Sequence, residues 1–213
     1  MVDIVRIDHF RGFEAYWEIP AEEKTAVKGR WVKAPGGRLF KALEKALGDL
    51  PVIAEDLGFI TEPVHKLRNQ FHFPGMKILQ FAFEFQDGGR FNSRNGYLPH
   101  NFEENCVVYT GTHDNDTTLG WYFSLPNDLK NQICSYMGVD GHDFVRDCIR
   151  LALSSVARIA LFPLQDLFCY GSESRMNTPS TVGGQNWAWR FPMEALRPDI
   201  ADWMKYQCQM FNR

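Results

Sequence analysis

The sequence has no apolar run long enough to span a membrane, no low-complexity tract and no internal repeat. It also lacks an excess of charge of one sign: 23 Lys and Arg stand against 26 Asp and Glu, a formal net charge of −3. That balance leaves no electrostatic footprint for nucleic acid or an anionic membrane, so uncharged partners fit better. The five cysteines (Cys106, Cys134, Cys148, Cys169, Cys208) contain no CxxC pair and no zinc-like spacing. Odd in number and scattered, they read as reduced, buried thiols, and without a signal-peptide pattern the expected location is cytoplasmic. What is present is ordinary for one soluble globular unit: 213 residues, 45% hydrophobic and 23% charged.

Strand-like and helix-like segments alternate along the chain. Strands are expected at Val2–Phe10, Pro51–Leu57, Met76–Phe83, Cys106–Thr112 and Ala160–Phe168, the last weakened by Pro163. Helices are expected at Gly37–Leu47, where Leu39, Phe40, Leu43, Ala46 and Leu47 recur at helical spacing, and from Glu62 to Phe71 behind a Thr61 N-cap. Others are expected at Asn127–Met137, at Asp143–Arg158, and from Met193 to Phe211 with an interruption at Pro198. Alternation of this kind implies βαβ units and a parallel sheet, either doubly wound or part of a barrel. Polar residues gather where each strand ends, the place where (β/α)8 barrels carry chemistry.

Three strand ends hold the candidates. In VRIDHFRG, period-two alternation puts Arg6 and Asp8 on one face, so a guanidinium keeps a carboxylate ionised and oriented, as a nucleophile requires. A plain structural ion pair is the competing reading. Glu55, in VIAEDLG, follows an apolar strand beside Asp56; both neighbours favour the protonated form that a general acid needs. Helix capping or a pair of solvated loop acids is the alternative there.

In YTGTHDNDT, short hydrogen-bonding side chains crowd one turn, an arrangement expected to need a bound polar ligand. EF-hand spacing is missing and neither His9 nor His113 has a Cys or His at ligand spacing, so a sugar ranks above a metal, and no metal is expected. The surplus of rings, 17 Phe, 6 Trp and 7 Tyr, suits stacking on sugar faces. Retaining glycosyl transfer needs two carboxyl groups roughly 5–5.5 Å apart, and neighbouring strands lie about 4.8 Å apart, so Asp8 and Glu55 can face each other at a fitting separation. Asp114 can then hold sugar hydroxyls.

The blocks VRIDHFRGFEAYW, PVIAEDLGFIT, FPGMKILQFAF, YLPHNFEENCVVYTGTHDNDTTLGW and SRMNTPST…NWAWR resemble, in order, the signature blocks of amylomaltases, the family-77 glycoside hydrolases that act as 4-α-glucanotransferases. The resemblance implies that Asp8 is the nucleophile, Glu55 the acid/base, Asp114 the transition-state-stabilising acid, Arg6 the nucleophile's partner and His113 a sugar contact. It places His9, Asn177, Asn186 and Trp187 near the substrate. Ser180 stands where some relatives have Gly, which bears on local loop shape. The implied reaction passes α-1,4-glucan segments to glucose or maltodextrin, with no cofactor. An α-glucan hydrolase and a non-catalytic glucan-binding fragment are the rival readings.

The fold this implies is a partial (β/α)8 TIM barrel, strands four to eight with their helices, so that residues 1–213 form the C-terminal part of the catalytic domain. An open half-barrel exposes strand edges. The chain alone is therefore expected to be marginal, and inactive without a complementing N-terminal segment.

Overall fold

The computed structural model describes residues 2–83, 85–86 and 90–213. The chain divides into two compact units, Met1–Met76 with Asn105–Val107, and Lys77–Glu104 with Val108–Arg213.

The first unit opens with strand β1 (Val5–Ile7), followed by an antiparallel hairpin of β2 (Ala15–Glu18) and β3 (Arg30–Lys33). Helix α1 (Gly36–Leu47), strand β4 (Val52–Ala54) and helix α2 (Glu62–Gln70) complete it. Strands β1 and β4 pair in parallel with Ile7 opposite Ala54, and α1 lies between them in sequence, the expected βαβ connection. Its core is mostly phenylalanine: Phe40 of α1 meets Phe10, Phe13, Phe71 and Phe73 at ring-centroid distances of 5.1 to 5.6 Å. Val64 and Leu67, three apart on α2, bury against the same cluster.

Asp56 and Arg68 form a buried ion pair at 2.6 Å, with side chains only 6% and 4% exposed. The Met76 N–H also donates to Asp56, at 2.8 Å. Residue 75 is glycine because a Cβ there would collide with both members of the pair.

The second unit takes over within β5 (Gly75–Ile78), which runs into a one-turn helix α3 (Leu79–Ala82). A short hairpin of β6 (Phe85–Gln86) and β7 (Arg90–Phe91) precedes β8 (Cys106–Tyr109). Then come α4 (Thr118–Ser124), α5 (Asn127–Met137), α6 (Phe144–Ser154), β9 (Ile159–Leu161), the short α7 (Leu164–Leu167) and α8 (Pro198–Met210). Strands β5, β8 and β9 form one sheet in that order. Val145, Ile149 and Leu153 recur every four residues along α6 and pack on Trp203 and Phe211 of the C-terminal segment. On its other side Phe144 stacks on Tyr122 at 3.8 Å.

All five expected strands exist and all are shorter than expected, two of them for a reason legible in their residues. MKILQFAF is strand only to Ile78, then turns helical, an ambiguity that a continuous apolar run carries in sequence. ALFPLQDLF breaks at Pro163, which stands at the N-cap of α7 with φ −58°. Pro198 likewise opens α8 instead of interrupting a longer helix. Thr61 does occupy the N-cap of α2, though its side chain makes no capping bond. The β2–β3 hairpin and α4 were not anticipated. Among the described residues no helix is long and apolar enough to cross a membrane. All five cysteines are free, with Cys169 and Cys208 only half-buried.

Two buried acids generate predictions. Asp56→Asn removes the buried carboxylate that pairs with Arg68, so chemical denaturation should show a loss of about 3–5 kcal/mol; a loss under about 1 kcal/mol would contradict the pairing. Asp166, 1% exposed, is held above its ordinary carboxyl value of 3.8, chiefly by burial, against hydrogen bonds from Thr110 and Thr118 that pull it down. The folded chain therefore holds this proton more tightly than the unfolded chain. Its stabilising contribution is complete below 3.8 and is lost as pH rises through the raised value. Asp166→Asn has no such proton, so its melting temperature should gain on the parent's as pH climbs from 3.8 toward neutrality. A constant difference across that climb would contradict it.

Candidate active site

The parallel register of β1 and β4 sets the candidate group of the first unit. Ile7 stands opposite Ala54, and the ladder continues one step further: the Glu55 N–H donates to Ile7 O at 2.9 Å, and the Phe10 N–H to Glu55 O at 3.0 Å. Asp8 and Glu55 are therefore neighbours at the C-terminal ends of adjacent strands, on the same face. Arg6, two residues before Asp8 and so also on that face, places Nη2 3.0 Å from Asp8 Oδ1. With Asp8 75% exposed, this pair adds little stability and instead orients the carboxylate.

Glu55 is held by backbone. Its Oε2 accepts the His9 N–H at 2.7 Å and its Oε1 accepts the Leu57 N–H at 2.8 Å. To direct its N–H this way His9 adopts left-handed φ 47° and ψ 50°, a conformation that a non-glycine residue holds only at a cost of about 1–3 kcal/mol. Asp56, expected to bear on Glu55 as a like charge, does something else. Strand alternation turns it inward, where Arg68 compensates it.

The candidate group of the second unit follows β8. Its turn is largely satisfied from within: Asn115 Oδ1 accepts the Thr112 N–H at 2.9 Å and the Thr112 hydroxyl at 2.8 Å. Asp116 accepts the Thr117 N–H and the Ser172 hydroxyl at 2.8 and 2.7 Å, and its carbonyl accepts from Gln80 Nε2 at 2.9 Å. A Cβ on Gly120 would strike the Ser172 hydroxyl, so this position admits only glycine without rearrangement. The crowded turn therefore does not need a bound polar ligand to satisfy it, contrary to expectation. His113 and Asp114 are the two side chains left to present outward.

Asp114 is fixed on three sides. Oδ1 accepts from Asn177 Nδ2 at 2.6 Å, Oδ2 lies 3.4 Å from His113 Nε2, and its carbonyl accepts from Arg175 Nη2 at 2.8 Å. The Asn177 N–H reaches His113 O at 3.1 Å, and the Trp187 N–H reaches Met176 O at 2.7 Å, bringing the Trp187 ring 5.2 Å from that of His113. Trp187 is 57% exposed. Asn186 instead shapes its own loop, accepting the Thr178 N–H at 3.0 Å and donating to the Thr181 hydroxyl at 2.8 Å. Ser180 in that loop holds φ 64°, so the backbone keeps the left-handed form a glycine would favour. A cleft of about 740 Å³ is lined by Asp114, Asn115, Asp116 and Arg175 with Phe81 and Trp121.

The structure thus gathers Arg6, Asp8, His9 and Glu55 in the first unit, and His113, Asp114, Asn177 and Trp187 in the second. Sequence reasoning missed Arg175, whose signal was its place inside SRMN, and Asp166. The latter lay in a segment read as strand, where alternation gave no hint of its partners.

The family model described as 4-alpha-glucanotransferase matches residues 1–195. The 4-alpha-glucanotransferase of Synechocystis sp. is 49% identical over 215 residues, covering 100% of this chain and 41% of that protein. The one from Thermus thermophilus is 51% identical over 204 residues, covering 92% of this chain and 39% of its own length. An amylomaltase from Streptococcus agalactiae, solved in complex with acarbose, superposes with a TM-score of 0.91 at 39% identity, covering 99% of this chain and 42% of that one. The chain therefore spans about two-fifths of the length of these relatives. On this match across nearly all its residues, the chain belongs to the 4-alpha-glucanotransferase family, glycoside hydrolase family 77.

Proposed function

We propose that the chain carries the chemistry of a retaining 4-α-glucanotransferase, in the part of a (β/α)8 barrel formed by strands four to eight. The observation that carries this reading is the β1–β4 register, which sets Asp8 beside Glu55 at adjacent strand ends. Strand spacing of about 4.8 Å suits the roughly 5–5.5 Å carboxyl separation of retaining glycosidases. In the first step Asp8 attacks the anomeric carbon while Glu55 delivers a proton to the departing 4-oxygen, leaving a glycosyl ester on Asp8. In the second, Glu55 takes the proton from an acceptor 4-hydroxyl, whose oxygen displaces Asp8 and regenerates both carboxyl groups.

Asp114 takes the role of the third carboxylate, which engages sugar hydroxyls and stabilises positive charge developing on the ring. The adjoining rings of His113 and Trp187 offer a stacking surface, and Arg6 keeps Asp8 aimed. His9, Asn177 and Asn186 support substrate contacts through the loops they brace. The acarbose complex of the streptococcal relative supports an α-1,4-glucan or maltooligosaccharide ligand. The five free thiols support a reducing compartment such as the cytoplasm.

The test is maltotriose disproportionation, by the chain alone and by the chain joined to the remainder of the Thermus thermophilus relative. Glucose with a ladder of longer maltodextrins is expected from the joined protein; only shorter sugars would mean hydrolysis and overturn the transferase reading. Asp8→Asn should abolish transfer, because an amide cannot form the ester. Glu55→Gln should lose about 10²–10⁴-fold on maltotriose and be rescued only in part by α-glucosyl fluoride, whose leaving group needs no proton in the first step while the acceptor's proton still lacks its base in the second. Parental maltotriose turnover in Glu55→Gln would remove Glu55 from the acid/base role.

A further inference from the structure

Helix α7 lies outside the chemistry just described, yet its buried dipeptide Gln165 and Asp166 touches both segments that build the second unit's candidate group. Asp166 Oδ2 accepts the Thr110 hydroxyl at 2.5 Å and the Thr118 hydroxyl at 2.7 Å, while Oδ1 accepts the Thr118 N–H at 2.8 Å. Thr110 and Thr118 flank residues 111–117, the turn that presents His113 and Asp114. One carboxylate therefore grips both ends of that turn. Beside it, Gln165 Nε2 donates to Ser174 O at 3.1 Å, immediately before Arg175 and Asn177, which hold Asp114.

The turn's internal bonds, Thr112 to Asn115 above all, fix its shape but not its position. Position comes from bonds to other elements, and several of those, including Ser172 to Asp116 and Asn177 to Asp114, are exposed to water that competes for them. The three bonds to Asp166 are buried, where water does not compete. Both threonines are themselves fully buried, so neither has solvent as a substitute partner.

We propose that Asp166 is a positioning residue for His113 and Asp114, clamping both ends of the turn that carries them; this rests on the transferase reading above. It acts through hydrogen-bond geometry and not through its charge. Asparagine should accordingly replace it: an amide nitrogen in place of Oδ2 donates to the two hydroxyls, and Oδ1 still accepts the Thr118 N–H.

Two variants test this in the joined protein. Asp166→Asn should keep kcat within about threefold of the parent. Thr110→Val, nearly isosteric, removes the bond at one end of the turn and should lower kcat roughly tenfold with melting temperature and KM little changed. Parental kcat in Thr110→Val, or a loss in Asp166→Asn as large as that in Thr110→Val, overturns the proposal. A readout independent of turnover is the His113 ring signal in the NMR spectrum of histidine-labelled protein. It should shift in Thr110→Val and hold in Asp166→Asn. An unmoved signal in Thr110→Val defeats the positioning role, whereas a shifted signal in a protein that never disproportionates maltotriose defeats only the transferase reading.

Discussion

The structure depends first on one short parallel ladder. Strands β1 and β4 are three residues each, and their register decides that Asp8 and Glu55 emerge side by side. A slip of one residue would turn Asp8 or Glu55 inward and present an apolar neighbour in its place. That register is secured from behind by the phenylalanine cluster on Phe40, and from ahead by the Phe10 N–H on Glu55 O and the His9 N–H on the Glu55 carboxylate. The left-handed backbone of His9 is the local cost of that last bond, borne where Phe10, the next residue, is fully buried.

A division of labour among carboxylates follows from strand alternation and turn geometry. Asp56 sits next to Glu55 and faces the core, where Arg68 and the Met76 N–H consume its hydrogen-bonding capacity. Asp116 and Asp166 bind hydroxyls and backbone N–H groups that shape the segment after β8. Asp8 and Asp114 remain open to solvent and Glu55 half-open. Asp8, Glu55 and Asp114 accept protein hydrogen bonds as well, and what sets them apart from the buried Asp56 and Asp166 is the exposure that leaves lone pairs facing solvent.

Much of this was legible in the sequence. Period-two alternation alone put Arg6 beside Asp8, and helical spacing found α1 and α5 to within a residue. Recognition of the signature blocks supplied His113, Asn177 and Trp187, which spacing alone had no means of joining, because backbone bonds between distant loops bring them together. What stayed hidden has a physical cause. The apolar runs MKILQFAF and ALFPLQDLF suit strand and helix equally until a tertiary partner decides, and Gln80 and Asp166 owe their roles to partners 36 and 56 residues away. The crowding of YTGTHDNDT was real, but most of its capacity turned out to be spent on itself.

The central claim is that Asp8, placed beside Glu55 by the β1–β4 ladder, forms the covalent bond to sugar. It is tested most directly with 5-fluoro-α-glucosyl fluoride, whose ring fluorine slows both steps while its fluoride leaving group speeds the first. The joined protein would be quenched during turnover and its digest mapped by mass spectrometry. One fluoroglucosyl unit on the peptide containing Asp8 is the expected result. The same unit on a peptide carrying Glu55 or Asp114 instead would contradict the account.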